Sequence, residues 1–231
     1  MQRILVTGAN RGLGLEFVRE LLARGDRVYA ACRNPGRALA LTELAGAHPG
    51  HLAVLPLEVD KERSIAELAR EVTALTDTLD VLVNNAGVLV SGERFGALAA
   101  KPLLDTFAAN VVGPVLLTQA LAPLLEKSSA AKVMNISSIL GSMADTDNFG
   151  TPSYAISKAA LNMATRQLAR ALAPRVTVFC VHPGWVKTDM GGAGATLMPQ
   201  TSVSGLLKVL DAIKPKDAGT FVDFRGHKLP W

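Results

Sequence analysis

Short, β-branched apolar runs alternate along the chain with longer stretches in which apolar residues return every three or four positions. Residues 3–7 (RILVT), 27–32 (RVYAAC), 52–58 (LAVLPLE), 79–83 (LDVLV), 132–137 (KVMNIS), 175–181 (RVTVFCV) and 220–224 (TFVDF) read as strands. Residues 12–24, 36–46, 61–75, 101–126, 152–173 and 202–213 between them have helical period. This alternation predicts a parallel sheet joined by crossover helices. Because the strands are apolar almost throughout, both sheet faces must be covered, which gives an α/β, doubly wound arrangement of three layers with about seven strands. Residues 188–201 (TDMGGAGATLMPQT) break every periodicity and read as a mobile loop. No stretch reads as a second domain, so residues 1–231 are expected to form one.

Composition narrows the class. With 49% hydrophobic residues in 231, one buried core is readily supplied. The 24 basic and 20 acidic residues leave a net charge of +4, scattered singly or in pairs, which suits a weakly cationic enzyme surface and no nucleic-acid partner. The two cysteines, Cys32 and Cys180, lie in apolar runs without metal or disulfide spacing, so no metal site is expected and a reducing cytoplasm fits. The start, MQRILVTG, lacks the pattern of a secretory leader. Residues 106–125 are uncharged and long enough to cross a membrane, but Asn110, Thr118, Gln119 and two prolines favour a helix buried in protein, with no membrane association.

Candidate chemistry begins where the first strand meets Gly8, Gly12 and Gly14 in TGANRGLG. Glycines there permit a tight turn and close approach of backbone N–H groups to a pyrophosphate at a helix N-terminus, although a ligand-free glycine turn would use the same residues. Arg33 follows the second strand, where an acidic residue would suit a free ribose 2'-hydroxyl, and Arg11 lies in the glycine loop. Two guanidinium groups suit a 2'-phosphate, so NADP(H) is preferred, with NAD(H) as the alternative. NNAG (Asn84 to Gly87) and NISS (ending Ser137–Ser138) close two further strands. Tyr154 and Lys158 share a face of the helix predicted over 152–173. A cation nearby would lower a phenol from its ordinary value of about 10. The tyrosine could then exchange a proton with a carbonyl or alcohol oxygen that Ser138 hydrogen-bonds. The apolar remainder of that helix, including Ala155, Ala159, Leu161 and Met163, would be shared between sheet packing and a partner subunit.

TGANRGLG, NNAG, Asn110 in FAANVVGP, NISS, YAISK and HPGWVKTDM occur in this order along the whole chain. Together they resemble the short-chain dehydrogenase/reductase family. The resemblance implies a single Rossmann-type domain and hydride transfer between a nicotinamide and a carbonyl or alcohol substrate. It further implies Tyr154 as acid/base, Lys158 as its cationic partner and ribose contact, Ser138 as the orienting hydroxyl, and Asn110 as a helix-distorting residue that holds a water. Asn10 and Leu13 would join the glycines, Val59, Asn84, Ala86 and Gly87 would also contact the cofactor, and Pro183, Gly184, Val186 and Thr188 would line its nicotinamide side. The adenine carboxylate falls to Glu58, with Asp60 as the lesser candidate. Ser138 stands sixteen residues before Tyr154, a longer separation than is usual in the family, which leaves Ser137 and Ser142 in competition with it. The compact C-terminal part, SSILGS and LPW look most like C-factor-like or sniffer-like carbonyl reductases. That implies an open pocket, NADPH-dependent carbonyl reduction and a homodimer, with a tetramer as the larger alternative.

Overall fold

The computed structural model describes residues 1–231. Seven parallel strands form one sheet: β1 (Arg3–Thr7), β2 (Arg27–Cys32), β3 (Leu52–Pro56), β4 (Val81–Asn84), β5 (Ala131–Ile136), β6 (Val176–His182) and β7 (Phe221–Asp223), in the order β3-β2-β1-β4-β5-β6-β7. The chain works outward from β1 in one direction and returns to continue from β4 in the other. Ligands bind at such a reversal, beyond the strand C-termini, because neighbouring loops there diverge to opposite faces.

Side-chain alternation builds two cores on one sheet. Ile4, Val6, Val28 and Ala30 face α1 (Gly12–Ala23), α2 (Leu39–Ala47) and α7 (Pro199–Ala212), meeting Phe17, Leu21, Leu41, Leu206 and Leu210. Leu5, Tyr29 and Val133 face the other way, toward Ile65 and Leu68 of α3 (Glu62–Leu75) and Leu117 and Leu121 of α5 (Gly113–Leu125). The predicted doubly wound, seven-stranded sheet is therefore the observed one.

The helix expected at 101–126 runs from Ala100 to Leu125 and is interrupted once. Between α4 (Ala100–Phe107) and α5, residues Ala108–Val112 form a π turn. Its cause is legible: Pro114 lacks the N–H that an α-helix would supply to the Asn110 carbonyl.

Several boundaries depart from expectation. β3 stops at Pro56, because the ladder with β2 ends at Cys32 while buried Leu57 prolongs the apolar run. The helix expected at 36–46 divides into a 3-10 turn, Pro35–Arg37, and α2. Residues 188–201 are not a loose loop: backbone bonds join Lys187 and Trp185 to Leu197, and the Trp185 indole donates to the Gly191 carbonyl at 2.8 Å. The sheet side of α6 (Pro152–Ala171) is largely polar rather than apolar. Leu161 packs inward there, but its neighbours are Ser157, Lys158, Asn162 and Thr165, while Ala155 and Ala159 are half-buried and Met163 is exposed.

Candidate active site

The predicted residues gather at the reversal between β1 and β4. A cleft of about 460 Å³ is lined by Gly8, Asn10, Arg11, Gly12 and Leu13 of the first loop, Arg33 after β2, Val59 and Asp60 after β3, Ala86 and Gly87 after β4, Tyr154 and Lys158 of α6, and Pro183 and Thr188 after β6. A larger groove of about 900 Å³ between α7 and β7 contains none of them, so the smaller cleft holds the chemistry.

Its phosphate end is built by packing constraints. Gly8 has φ +64°, and a Cβ there would lie 2.9 Å from Ala86 Cα. Gly14 does not line the cleft; it lies behind it, where a Cβ would collide with the Gly8 carbonyl. Thr7 Oγ1 accepts from the backbone N–H groups of Asn85 and Ala86 at 3.0 and 2.9 Å, binding the NNAG turn to the glycine loop. No side chain caps α1. The first-turn N–H groups of a helix have no partner within it, so Gly12 and Leu13 offer donors where they line the cleft. The close backbone approach and uncapped helix fit a dinucleotide pyrophosphate, and Arg33 in the lining fits a 2'-phosphate.

Four placements correct the sequence reading. Arg11 is not a free partner of Arg33: it pairs with Asp189 at 2.8 Å across the cleft mouth. Glu58 is exposed and does not line the cleft; Asp60 does, because the chain turns out of the sheet after Pro56. Asn84 points into the protein, donating to Thr118 Oγ1 at 3.3 Å and Asn135 Oδ1 at 2.8 Å, since alternate residues of a strand face opposite ways. Gly184 and Val186 support the wall without lining it; Val186 is buried and bridged to Leu197.

At the other end the catalytic candidates converge. Tyr154 is 8% exposed, and burial pushes its phenol up to about 12, with the Ser138 hydroxyl acting in the opposite direction. Lys158 is buried, which brings its ammonium down to about 8; Nζ donates to the Ile136 carbonyl at 2.7 Å and lies 5.4 Å from the Tyr154 ring centroid. The expectation of a lowered tyrosine is thus reversed, because desolvation outweighs the hydrogen bond from Ser138. Of the three competing serines, Ser138 faces the phenol. Ser137 Oγ instead donates to Asn162 Oδ1 at 2.6 Å, and Ser142 Oγ accepts from Asp145 N–H at 3.2 Å.

Asn110 lies in the π turn outside the cleft. Its Oδ1 accepts from Val88 N–H at 2.8 Å, and its Nδ2 donates to the Val88 carbonyl and Ser157 Oγ, both at 2.9 Å. Sequence reasoning missed Lys61, Lys101, Asp105, Asp189 and Met190 in the lining. Asp189 and Met190 had a signal, since they belong to the quoted TDM; the others are ordinary helix or loop charges without one. Also unforeseen is a clasp in which Glu93 accepts from Ser153 N–H and Oγ and Phe95 meets Phe149 edge-on at 5.8 Å, joining the β4–α4 loop to the start of α6 and the segment before it.

The short chain dehydrogenase family profile matches residues 2–196. C-signal of Myxococcus xanthus is 42% identical over 158 residues, covering 68% of this chain and 95% of that protein. The NADPH-bound carbonyl reductase from chicken fatty liver superposes with a TM-score of 0.95 at 38% identity, covering 100% of this chain and 99% of that one. The carbonyl reductase Sniffer of D. melanogaster gives 0.96 at 36% identity, with both chains fully covered.

Proposed function

Because the chain belongs to the short-chain dehydrogenase/reductase family, in its C-factor-like and sniffer-like carbonyl reductase subgroup, we propose that this oxidoreductase uses NADPH to reduce a small aldehyde, ketone or quinone. The observation that carries this reading is the buried Tyr154 phenol, beside Ser138 and Lys158, at the end of a cleft whose opposite end is the glycine loop. NADPH, when bound, supplies the hydride. The first-turn N–H groups of α1 would hold its pyrophosphate, Arg33 its 2'-phosphate, Val59, Asp60, Ala86 and Gly87 its adenosine, and Lys158, Pro183 and Thr188 its nicotinamide half, with Arg11 remaining paired to Asp189. Its preference over NADH is supported by Arg33 in the lining and by the NADPH named with the chicken enzyme.

The raised phenol is a proton donor near neutral pH, as carbonyl reduction requires. Ser138 Oγ already accepts from Leu140 N–H at 3.2 Å, so its own proton is directed elsewhere and can reach the substrate oxygen. Lys158 stabilises the tyrosinate left when Tyr154 gives up its proton, an interaction stronger after transfer than before it. Asn110 keeps Ser157 and the Val88 turn in place around these groups. Exposed Leu104, Phe107, Val112, Ile156 and Met163 on α4, the π turn and α6 support a homodimer. Both cores share one sheet, which supports one domain, and buried free Cys32 and Cys180 suit the cytoplasm.

The test is loss of reduced-nicotinamide absorbance with an aromatic aldehyde, an aliphatic diketone and an ortho-quinone. Tyr154→Phe should lower kcat by roughly 10²–10⁴-fold while NADPH still binds; unchanged turnover would refute the mechanism. The likeness to C-signal supports a second reading, a nucleotide-binding signalling protein with incidental turnover. Tight NADPH binding without turnover of any of the three carbonyls would favour it.

A further inference from the structure

We propose that Asn162, assisted by His182, is the positioning residue for Ser138, fixing that hydroxyl relative to Tyr154; the inference rests on the carbonyl-reductase reading. Tyr154, Lys158 and Asn162 are spaced at four-residue intervals on α6 and are all buried. Asn162 Oδ1 accepts from Ser137 Oγ at 2.6 Å and from Cys180 Sγ at 3.4 Å, and Nδ2 donates to the Gly141 carbonyl at 3.0 Å. Ser137 and Gly141 bracket Ser138. One amide therefore ties both sides of the serine turn to the helix that carries its two partners.

A further tether comes from β6, where His182 Nδ1 accepts from Ile139 N–H at 3.2 Å. Packing prevents the turn from approaching closer: a Cβ on Gly141 would lie 2.7 Å from the Lys158 carbonyl carbon. On the far side the turn leads into residues 142–151, which contain neither helix nor strand and are held by separate contacts, among them Ala144 N–H to the Trp231 carbonyl at 3.0 Å, so the bonds to α6 and β6 are the ones that relate the turn to Tyr154. Asn suits the position because it donates and accepts within one short side chain; Asp lacks the donor and Leu lacks both. Asn162 does not line the cleft, whereas its partner Ser137 does, so its effect on reduction passes through the serine turn and the dependence on Ser138 is what the test must show.

A four-member cycle tests this: wild type, Asn162→Ala, Ser138→Ala and the double variant, each assayed for NADPH affinity and for turnover of the same three carbonyls. With Ser138 present, Asn162→Ala should lower kcat about 10–100-fold, the scale of an ångström-sized misplacement. Without Ser138 it should cost less than about threefold, with NADPH affinity within about twofold throughout. An equal loss in both backgrounds makes Asn162 merely structural and overturns the proposal. Ser137→Ala, which removes one tether and leaves the amide, should show a smaller loss with the same dependence on Ser138; this variant remains informative if Asn162→Ala does not fold.

A second readout needs no turnover. The chain has two tyrosines, Tyr29 and Tyr154, so [ζ-13C]tyrosine labelling gives two resonances, assignable with Tyr154→Phe. Ser138→Ala and Asn162→Ala, or Ser137→Ala in its place, should move the Tyr154 signal in the same direction and leave Tyr29 in place. A Tyr154 signal indifferent to the tether variant overturns the proposal. A shifted signal in a protein that reduces none of the carbonyls upholds the positioning and overturns the reductase reading instead.

Discussion

Replacing Asn110 by Ala would remove three hydrogen bonds from a side chain with no exposed surface. Ser157 keeps a partner, because its hydroxyl also donates to the Tyr154 carbonyl at 2.7 Å. The Val88 N–H and C=O both lose theirs, although Val88 is partly open to water, which limits the penalty. At about 1 kcal/mol for each of three bonds, the loss is about 3 kcal/mol. For a chain of this length that lowers Tm by roughly 6–12 °C. Because the Val88 turn adjoins Gly87, whose Cβ position is 3.1 Å from Asn110 Oδ1, NADPH affinity should fall too. Asn110→Asp separates hydrogen bonding from volume: it can still accept from Val88 N–H but turns a carboxylate oxygen toward the Val88 carbonyl, and should lose at least as much. Urea and thermal unfolding, with and without NADPH, measure both. A loss below about 1 kcal/mol for Ala, or an Asp variant matching wild type, would refute the assignment of this residue as the bond between the π turn and the cleft.

Gly14→Ala should displace the glycine loop, since its Cβ meets the Gly8 carbonyl; the cost is about 1–3 kcal/mol of stability, with clearly weaker NADPH binding by fluorescence titration. Arg33→Asp should weaken NADPH much more than NADH, and equal losses would remove the argument for 2'-phosphate recognition. Burial lowers His182 from 6.5 to about 4, against the raising effect of Asp223. The unfolded chain then takes up a proton that the folded chain refuses, so stability is lost as pH falls from about 6.5 toward 4, by about 3 kcal/mol. His182→Asn, which retains an acceptor for Ile139 N–H, should flatten that acid limb in urea titrations at several pH values.

The fold was legible because each strand carries a continuous apolar run and each crossover a helical period, and these are the patterns a parallel sheet requires. The glycine loop, Tyr154 and Lys158 were legible because backbone approach and four-residue spacing are local properties. Other details depend on where a strand ends. Asn84 turns inward because it is the last paired residue of β4, and Glu58 misses the cleft because the chain has left the sheet; one residue of uncertainty at either point reverses the side-chain direction. The polar inner face of α6 was hidden for another reason. Its partners, Asn135, Ser137 and Gly141, lie more than twenty residues upstream, and a serine, asparagine or threonine on a helix reads as solvent-facing until such partners are found. Arg11 illustrates the remaining limit, since its ion partner is 178 positions away.

The polar seat of α6 also separates two kinds of change along one helix. A helix seated on apolar ridges can rotate or slip by exchanging rotamers, but slippage here would strand Asn162, Thr165 and Lys158 together. The inner face therefore acts as a key that admits one register. The outward side, with Ile156, Met163, Gln167 and Arg170, carries no part of that key. Lineages can rewrite it, and with it the neighbour this helix meets, without re-cutting the active centre on its reverse.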